Sequence, residues 1–330
     1  MKSRRDFMKD VGKGILSSII VSSVSNSNTN AQTLKESQIN IKKNIRIGII
    51  GAENSHTIGY GRIFNVDKSF PGVELLYVWG ETDEFAKDAS KRGSIPNIVK
   101  DPMEMMGKID ALIVDHRHAK YHLEPALPFV KAGIPTFIDK PFCYRVAEGK
   151  EFLKIAEELK TPVSSYSTIA QDNGVFDIKA QIPNIGKIYH IISVGPCDVD
   201  SKWGGVFFYG VHSIERLMYI FGDDVVEVKV TRSGDKTTAA LVFSSGYFAT
   251  VMFIKEDYRG WDLMVLTNDG MKNLEPRIKN TDTLKPYRDM VEMFKTGKEP
   301  RSHKSILAGM AVLEALEKSV VTQQWEKVVI

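Results

Sequence analysis

Three stretches of this 330-residue chain carry side chains able to hold a ligand or move a proton. The first is Gly51-Ala52-Glu53-Asn54-Ser55-His56-Thr57, directly after the apolar run Ile45 to Ile50. An apolar strand ending in glycine is how a phosphate-cradling loop begins. A dinucleotide loop needs G-x-G-x-x-G so that its backbone can approach a pyrophosphate. Gly51 holds the first position, but Glu53 stands at the second and His56 at the third. A carboxylate about 4 Å from a phosphate charge costs on the order of 4 kcal/mol at moderate screening. Asn54, Ser55 and the N–H groups of a helix start still suit an anion. The second stretch is Asp115-His116-Arg117-His118, with His122 a turn later. Carboxylates and imidazoles grouped in this way bind a divalent metal, hydrogen-bond a sugar or replace lost phosphate contacts, and the spacing leaves all three open. The third is Asp139-Lys140-Pro141, at a strand end. A lysine there takes a proton near neutral pH when burial lowers its pKa, or polarises a carbonyl oxygen.

The elements that must position these groups follow from the hydrophobic pattern. Strands are expected at 45–51, 72–80, 110–115, 135–141 and 162–168, and helices at 57–66, 84–93, 122–133 and 146–160. This alternation gives an α/β fold, a doubly wound parallel sheet over residues 45–168. Ligands of such sheets collect at the C-terminal strand ends. The strand before Asp115 lies beside the first strand, which sets Asp115, His116 and His118 opposite Glu53 and His56. The second strand should end in an acid that reads ribose hydroxyls. Gly80 falls at that place; Glu81 or Asp83 can substitute, and a surface loop is the simpler reading of both. From 169 to 330 the pattern becomes α+β. Strands at 187–195, 225–232, 237–245, 247–255 and 262–269 form an open, mostly antiparallel sheet. Helices at 213–222, 287–297 and 305–320 accompany it. An open sheet with an apolar outer face needs a partner, so a homo-oligomer through this sheet is expected.

Residues 109–142, "IDALIVDHRHAKYHLEPALPFVKAGIPTFIDKPF", resemble the Gfo/Idh/MocA family of oxidoreductases, which carry a strand, a loop ending in His, a helix and then "AGKHVLVEKP". The stretch 203–222, "WGGVFFYGVHSIERLMYIFG", resembles the family's "GG…DxGxHxxDLxxYLxG", with Gly204, Gly205, Gly210, His212 and Gly222 in place. The segment 294–319 is similar to the family's closing helix, so the resemblance covers nearly all of 45–325. It implies a Rossmann domain at 45–168 and a substrate and oligomerisation domain at 169–330, binding NAD or NADP and a sugar-like small molecule. By residue, it implies that Lys140 and His212 are catalytic. Cofactor contacts fall at Gly51, Glu53, Asn54, Ser55, His56, Glu81, His116, His118, His122, Asp139 and Lys140. The family loop at 116–118 runs along the nicotinamide ribose, so a cofactor or substrate contact there is preferred to a metal. The family's aspartate four residues before the histidine is Phe208 here, and a phenyl ring can neither orient an imidazole nor hold a proton. The aromatic run Trp203, Phe207, Phe208 and Tyr209 suits either a sugar face or a core. Three functions are therefore carried forward. One is an NAD(P)-dependent oxidoreductase acting on a sugar, sugar acid or polyol. The others are an NAD-cycling or keto-sugar glycosidase or lyase, and a non-catalytic sugar-binding relative.

The first 31 residues stand apart. Ser3-Arg4-Arg5-Asp6-Phe7-Met8-Lys9, followed by an apolar run from Gly14 to Val24, resembles the twin-arginine export signal. The run is too short and serine-rich to span a membrane. Cleavage after Ala31, a linker at 32–44 and a periplasmic mature chain are expected. Five basic and two acidic residues in this signal account for the whole net charge of +3. The rest is formally neutral, which argues against nucleic acid as a partner. Cys143 and Cys197 make no disulfide framework and are expected to be unpaired.

Overall fold

In the computed structural model, residues 44–255 and 258–330 are described, and these form one compact unit from residue 44 onward. The export signal and the linker up to residue 43 lie outside the described residues. The first strand, β1 (Ile45–Ile50), is almost wholly buried and enters the loop at Gly51. Gly51 has φ +111°, and a Cβ there would stand 2.5 Å from the Asp115 carbonyl oxygen. Only glycine lets the two strand ends approach this closely. Helix α1 (Ser55–Gly61) follows, capped by the Asn54 side chain, and passes into a π-helical turn at Arg62–Val66.

Next come β2 (Val73–Trp79), α2 (Asp83–Gly93), β3 (Asn97–Ile98), β4 (Ala111–Val114), α3 (Leu123–Lys131), β5 (Thr136–Ile138), α4 (Val146–Leu159) and β6 (Val163–Ser164). The six strands are parallel in the order β3-β2-β1-β4-β5-β6, with the order reversing at β1 and β4. That reversal opens a crevice at the strand ends. Helix α2 does end at Gly93, and the left-handed residue that caps it is Ser94, with φ 52°. Gly93 also lets α1 and α2 cross closely, since a Cβ on Gly61 would lie 2.6 Å from Gly93 Cα. One expectation needs correction, at the sixth strand. The run 162–168 pairs only over Val163–Ser164, after which the chain leaves the sheet and carries Ser167 to the crevice.

Helix α5 (Asn173–Gln181), capped by Asp172, was not legible in the sequence: its apolar residues are few, and only Gly174, Val175, Ile178 and Gln181 are buried. It leads into β7 (Ile188–Pro196), α6 (Val206–Phe221), β8 (Val225–Ser233), β9 (Lys236–Phe243), β10 (Phe248–Ile254), β11 (Asp262–Thr267) and β12 (Gly270–Asn273). Helices α7 (Lys285–Thr296) and α8 (His303–Thr322) and the short β13 (Glu326–Lys327) complete the chain. The second sheet has the order β12-β11-β7-β10-β9-β8-β13. It is antiparallel except at β7 and β10, which pair parallel because three elements separate them in the chain. One face, with Ile191, Ala249, Val251 and Val265, is fully buried in the core that α6 and α8 share. The other presents Phe248, Met252 and Leu266, each more than a third exposed. Cys143 and Cys197 are free and buried, and burial pushes both thiols up. Among the described residues no helix is long and apolar enough to cross a membrane.

Candidate active site

The crevice is built around two aspartates that end neighbouring strands. Asp115 follows β4 and is fully buried. Its Oδ1 accepts from Asn54 Nδ2 at 2.7 Å, and its Oδ2 lies 2.7 Å from Thr57 Oγ1. The same Thr57 hydroxyl lies 2.7 Å from the Gly51 carbonyl. A hydroxyl has one proton, and a carbonyl has none to give. Thr57 therefore donates to Gly51, and the Asp115 contact is made by a proton on Asp115. The electrostatics agree: burial, then the charge of Asp139, pushes the Asp115 carboxyl well above the usual range. Asp115 is a neutral carboxylic acid that ties the loop after β1 to the end of β4.

Asp139, after β5, is the opposite case. Burial raises its pKa, but His56 and Lys140 outweigh burial and hold the carboxyl far below the usual range. Its Oδ1 accepts from Tyr60 Oη at 3.0 Å, and its Oδ2 lies 3.0 Å from His56 Nδ1 and 3.7 Å from Lys140 Nζ. Lys140 is buried, with Nζ 6.0 Å from the centroid of the Phe208 ring. Phe208 and His212 lie one turn apart on α6, so Lys140 faces the helix that carries His212. His212 is buried, with Trp261 edge-on at 5.0 Å. Burial, then Lys140 and His56, pushes its pKa well down. Its Nδ1 is 2.6 Å from Ser167 Oγ. A hydroxyl can either donate to Nδ1 or accept from it, so Ser167 holds the ring without fixing its tautomer. The Ser167 amide donates to Glu215 Oε2 at 2.6 Å, and Glu215 Oε1 accepts from Arg301 at 2.7 Å. Sequence reasoning missed Ser167, Glu215, Arg301 and Tyr60, whose partners lie far away in the chain.

On the far side of the loop, the surface reading of Glu81 is corrected. Its Oε2 accepts from the Ala52 and Glu53 amides, both at 2.8 Å, and its Oε1 lies 3.1 Å from His116 Nδ1. Burial, then His122, pushes His116 down to about 3, so the neutral ring donates to Glu81. Asp83 does lie on the surface, paired with Lys100 at 2.5 Å. Glu53 is half-buried, and burial raises its carboxyl against the pull of Arg117. Ser55 is exposed at the start of α1.

Two histidines are corrected. His122 is fully buried, with Nδ1 2.7 Å from the Pro141 carbonyl and Nε2 2.8 Å from that of His116. Neither nitrogen is available to a cofactor or a metal; the ring ties the loop after β4 to the Asp139-Lys140-Pro141 turn. His118 caps its own turn through Lys120 N and packs on Tyr144 at 4.8 Å. It lines a separate cavity of about 330 Å³ with Tyr144, Asp200, Lys202 and Glu317. In the aromatic run, Phe207 is core and packs on Tyr144, whereas Tyr209 is exposed.

His56, Asp115 and Asp139 bring one donor atom each within 4.8 Å of one another, the one such group among the described residues. A cation there would displace the Asp115 proton and meet the Lys140 ammonium, so the group is a hydrogen-bonded network. A dinucleotide fits better. An acid, Glu81, stands just past the second strand, as ribose recognition requires, and is fixed there by the Ala52 and Glu53 amides.

Residues 45–167 match the family described as an oxidoreductase family with an NAD-binding Rossmann fold. The chain is 26% identical over 238 residues to the uncharacterized oxidoreductase YhhX of Escherichia coli (strain K12), covering 62% of this chain and 67% of that protein. Among solved structures, myo-inositol 2-dehydrogenase from Lactobacillus plantarum superposes with a TM-score of 0.74 at 17% identity, covering 87% of this chain and 100% of that one. Myo-inositol dehydrogenase from Lactobacillus casei, solved with NAD(H) and myo-inositol, gives 0.72 at 15% identity, covering 87% and 97%. These structures share the fold.

Proposed function

Proceeding from a chain whose residues 45–167 match the Gfo/Idh/MocA oxidoreductase family, we propose that it oxidises a secondary alcohol of a sugar, sugar acid or polyol by hydride transfer to NAD. The observation that carries this is the convergence of Asp139 and Lys140 from the end of β5 and His56 from α1 with His212 from α6. Such a crevice can bind a hydroxyl, stabilise negative charge on its oxygen and take its proton. Glu81, which closes the loop through the Ala52 and Glu53 amides and His116, would accept from the ribose hydroxyls of the dinucleotide, which supplies a hydride acceptor when bound. The Glu81 carboxylate favours ribose hydroxyls and repels a 2′-phosphate, so NAD is preferred to NADP. Lys140 would stabilise the substrate oxygen, and His212, held by Ser167, would position a hydroxyl.

The inositol dehydrogenases among the solved relatives support a cyclic polyol as the first substrate to try. The division into cofactor and substrate domains near residue 168 agrees with the separate sheets. Ser3 to Lys9 supports export of the folded enzyme to the periplasm. Phe208, in place of the aspartate, supports a second reading in which NAD is reduced and reoxidised within one glycosidase or lyase turnover. Incubation with NAD and a panel of inositols, hexoses and sugar acids separates the readings. NADH accumulating in step with ketone supports net oxidation. Product without NADH supports the cycling reaction, and absence of NADH binding by the wild type overturns both.

A further inference from the structure

We propose that His56, oriented by Asp139, is the proton acceptor of this crevice, taking the place of the carboxylate–imidazole pair that Phe208 breaks at His212. The inference rests on the hydride-transfer reading. Three observations carry it.

The first is a tautomer set by geometry. Asp139 is ionised and accepts from Tyr60 at one oxygen, so the 3.0 Å contact at the other must be a proton donated by His56 Nδ1. That leaves Nε2 as the ring nitrogen that faces away from Asp139 and is open to a substrate hydroxyl. The second is access. The His56 side chain is 37% exposed while Asp139 is 2% exposed, so the ring's open edge lies away from the carboxylate. The third is placement. His56 holds the position of the third loop glycine and, like Lys140, lies close enough to His212 to bear on it. By contrast, His212 has only the Ser167 hydroxyl at Nδ1, which leaves its tautomer open. A carboxylate that orients an imidazole and stabilises the imidazolium is the arrangement a proton acceptor needs.

In the oxidising direction, the substrate C–H bond would break with its electron pair, the dinucleotide, when bound, supplying the hydride acceptor. The carbon–oxygen single bond becomes a carbonyl. The hydroxyl O–H bond breaks and its proton goes to His56 Nε2. The imidazolium so formed is stabilised by Asp139 and returns its proton to water through its exposed edge. Lys140 keeps its own proton and stabilises the oxygen. The groups facing His56 are Asp139, Asp115, Lys140, Tyr60 and His212.

The test has one arm that needs no turnover. Long-range ¹H–¹⁵N spectra of the ligand-free protein should show the His56 ring protonated at Nδ1 and bare at Nε2. A ring protonated at Nε2 instead would overturn the proposal. In the second arm, His56→Ala should lower kcat on the best polyol of the panel by roughly 10² to 10⁴-fold. Its NADH Kd should stay within about threefold, and added imidazole should restore part of kcat. His56→Gln should fold and keep the Asp139 contact yet stay equally slow. A raised NADH Kd with kcat unchanged would make His56 a cofactor contact, and full activity in His56→Gln would make it structural; either result overturns the proposal. If the wild type binds no NADH, the hydride-transfer reading fails, while the ring spectra still report on the dyad.

Discussion

Asp115 and Asp139 are the same residue type, equally buried, yet hold opposite protonation states, and the difference lies in their partners. Asp115 meets an amide and a hydroxyl whose only proton is already spent, so it keeps a proton. Asp139 meets donors and a cation, so it gives its proton up. Below the ordinary carboxylate pKa, Asp115→Asn should therefore be nearly neutral, within about 0.5 kcal/mol, because an amide donates to Thr57 and accepts from Asn54 just as the acid does. Asp139→Asn should cost about 3 kcal/mol, since it leaves Lys140 buried beside a neutral group. The pH dependences oppose each other. The raised pKa of Asp115 gives stability that is complete below the ordinary carboxylate value and declines as pH rises towards the raised one. The depressed pKa of Asp139 gives stability that is present above the ordinary value and lost as pH falls below it. Denaturant unfolding at pH 5 and pH 8 should show Asp115→Asn gaining on the wild type at the higher pH. A loss of 2 kcal/mol or more at both would mean that Asp115 is ionised. At this scale the sequence pointed to Lys140, His212, His56 and Asp139, side chains that the fold brings near one another. It could not name their partners, because His56 finds Asp139 across 83 residues and Ser167 finds His212 across 45.

Among elements, the β1–α1 loop departs most from its pattern. Its second and third glycine positions carry side chains, and its amides are held by an acid from the loop after β2. The strand pattern revealed that loop because burial on both faces makes β4 continuously apolar, and β1 apolar apart from Arg46 near its start. It gave no sign that Glu81 turns inward, since an acid after a strand reads alike whether it faces solvent or backbone. Glu81→Gln keeps the shape and removes the charge. It should cut the preference for NADH over NADPH by about tenfold or more in fluorescence titrations, equivalent to about 1.4 kcal/mol. An unchanged preference would place Glu81 outside the ribose site. The short α5 escaped notice for the opposite reason, because too little of it is buried to leave an apolar period.

For the whole molecule, the α/β then α+β order was legible because it depends only on which periods alternate. The parallel β7–β10 pair was not, since strand order in a mixed sheet is decided by packing against α6 and α8. The outer face of that sheet, with Phe248, Met252 and Leu266 exposed, suits a second copy of this chain. Light scattering at micromolar concentration should give at least a dimer. Met252→Glu should reduce it to monomer with unfolding unchanged, and a monomeric wild type would refute this role for the sheet.

The central claim is that this crevice moves a hydride from a carbon of a sugar-like alcohol to NAD. The most direct measurement uses carbon-deuterated polyols with NAD, followed by mass spectrometry of the cofactor. The account predicts NADH one mass unit heavier, with one deuterium per ketone formed and none released to water. Ketone or elimination product with an unlabelled cofactor, or deuterium appearing in water, would contradict it.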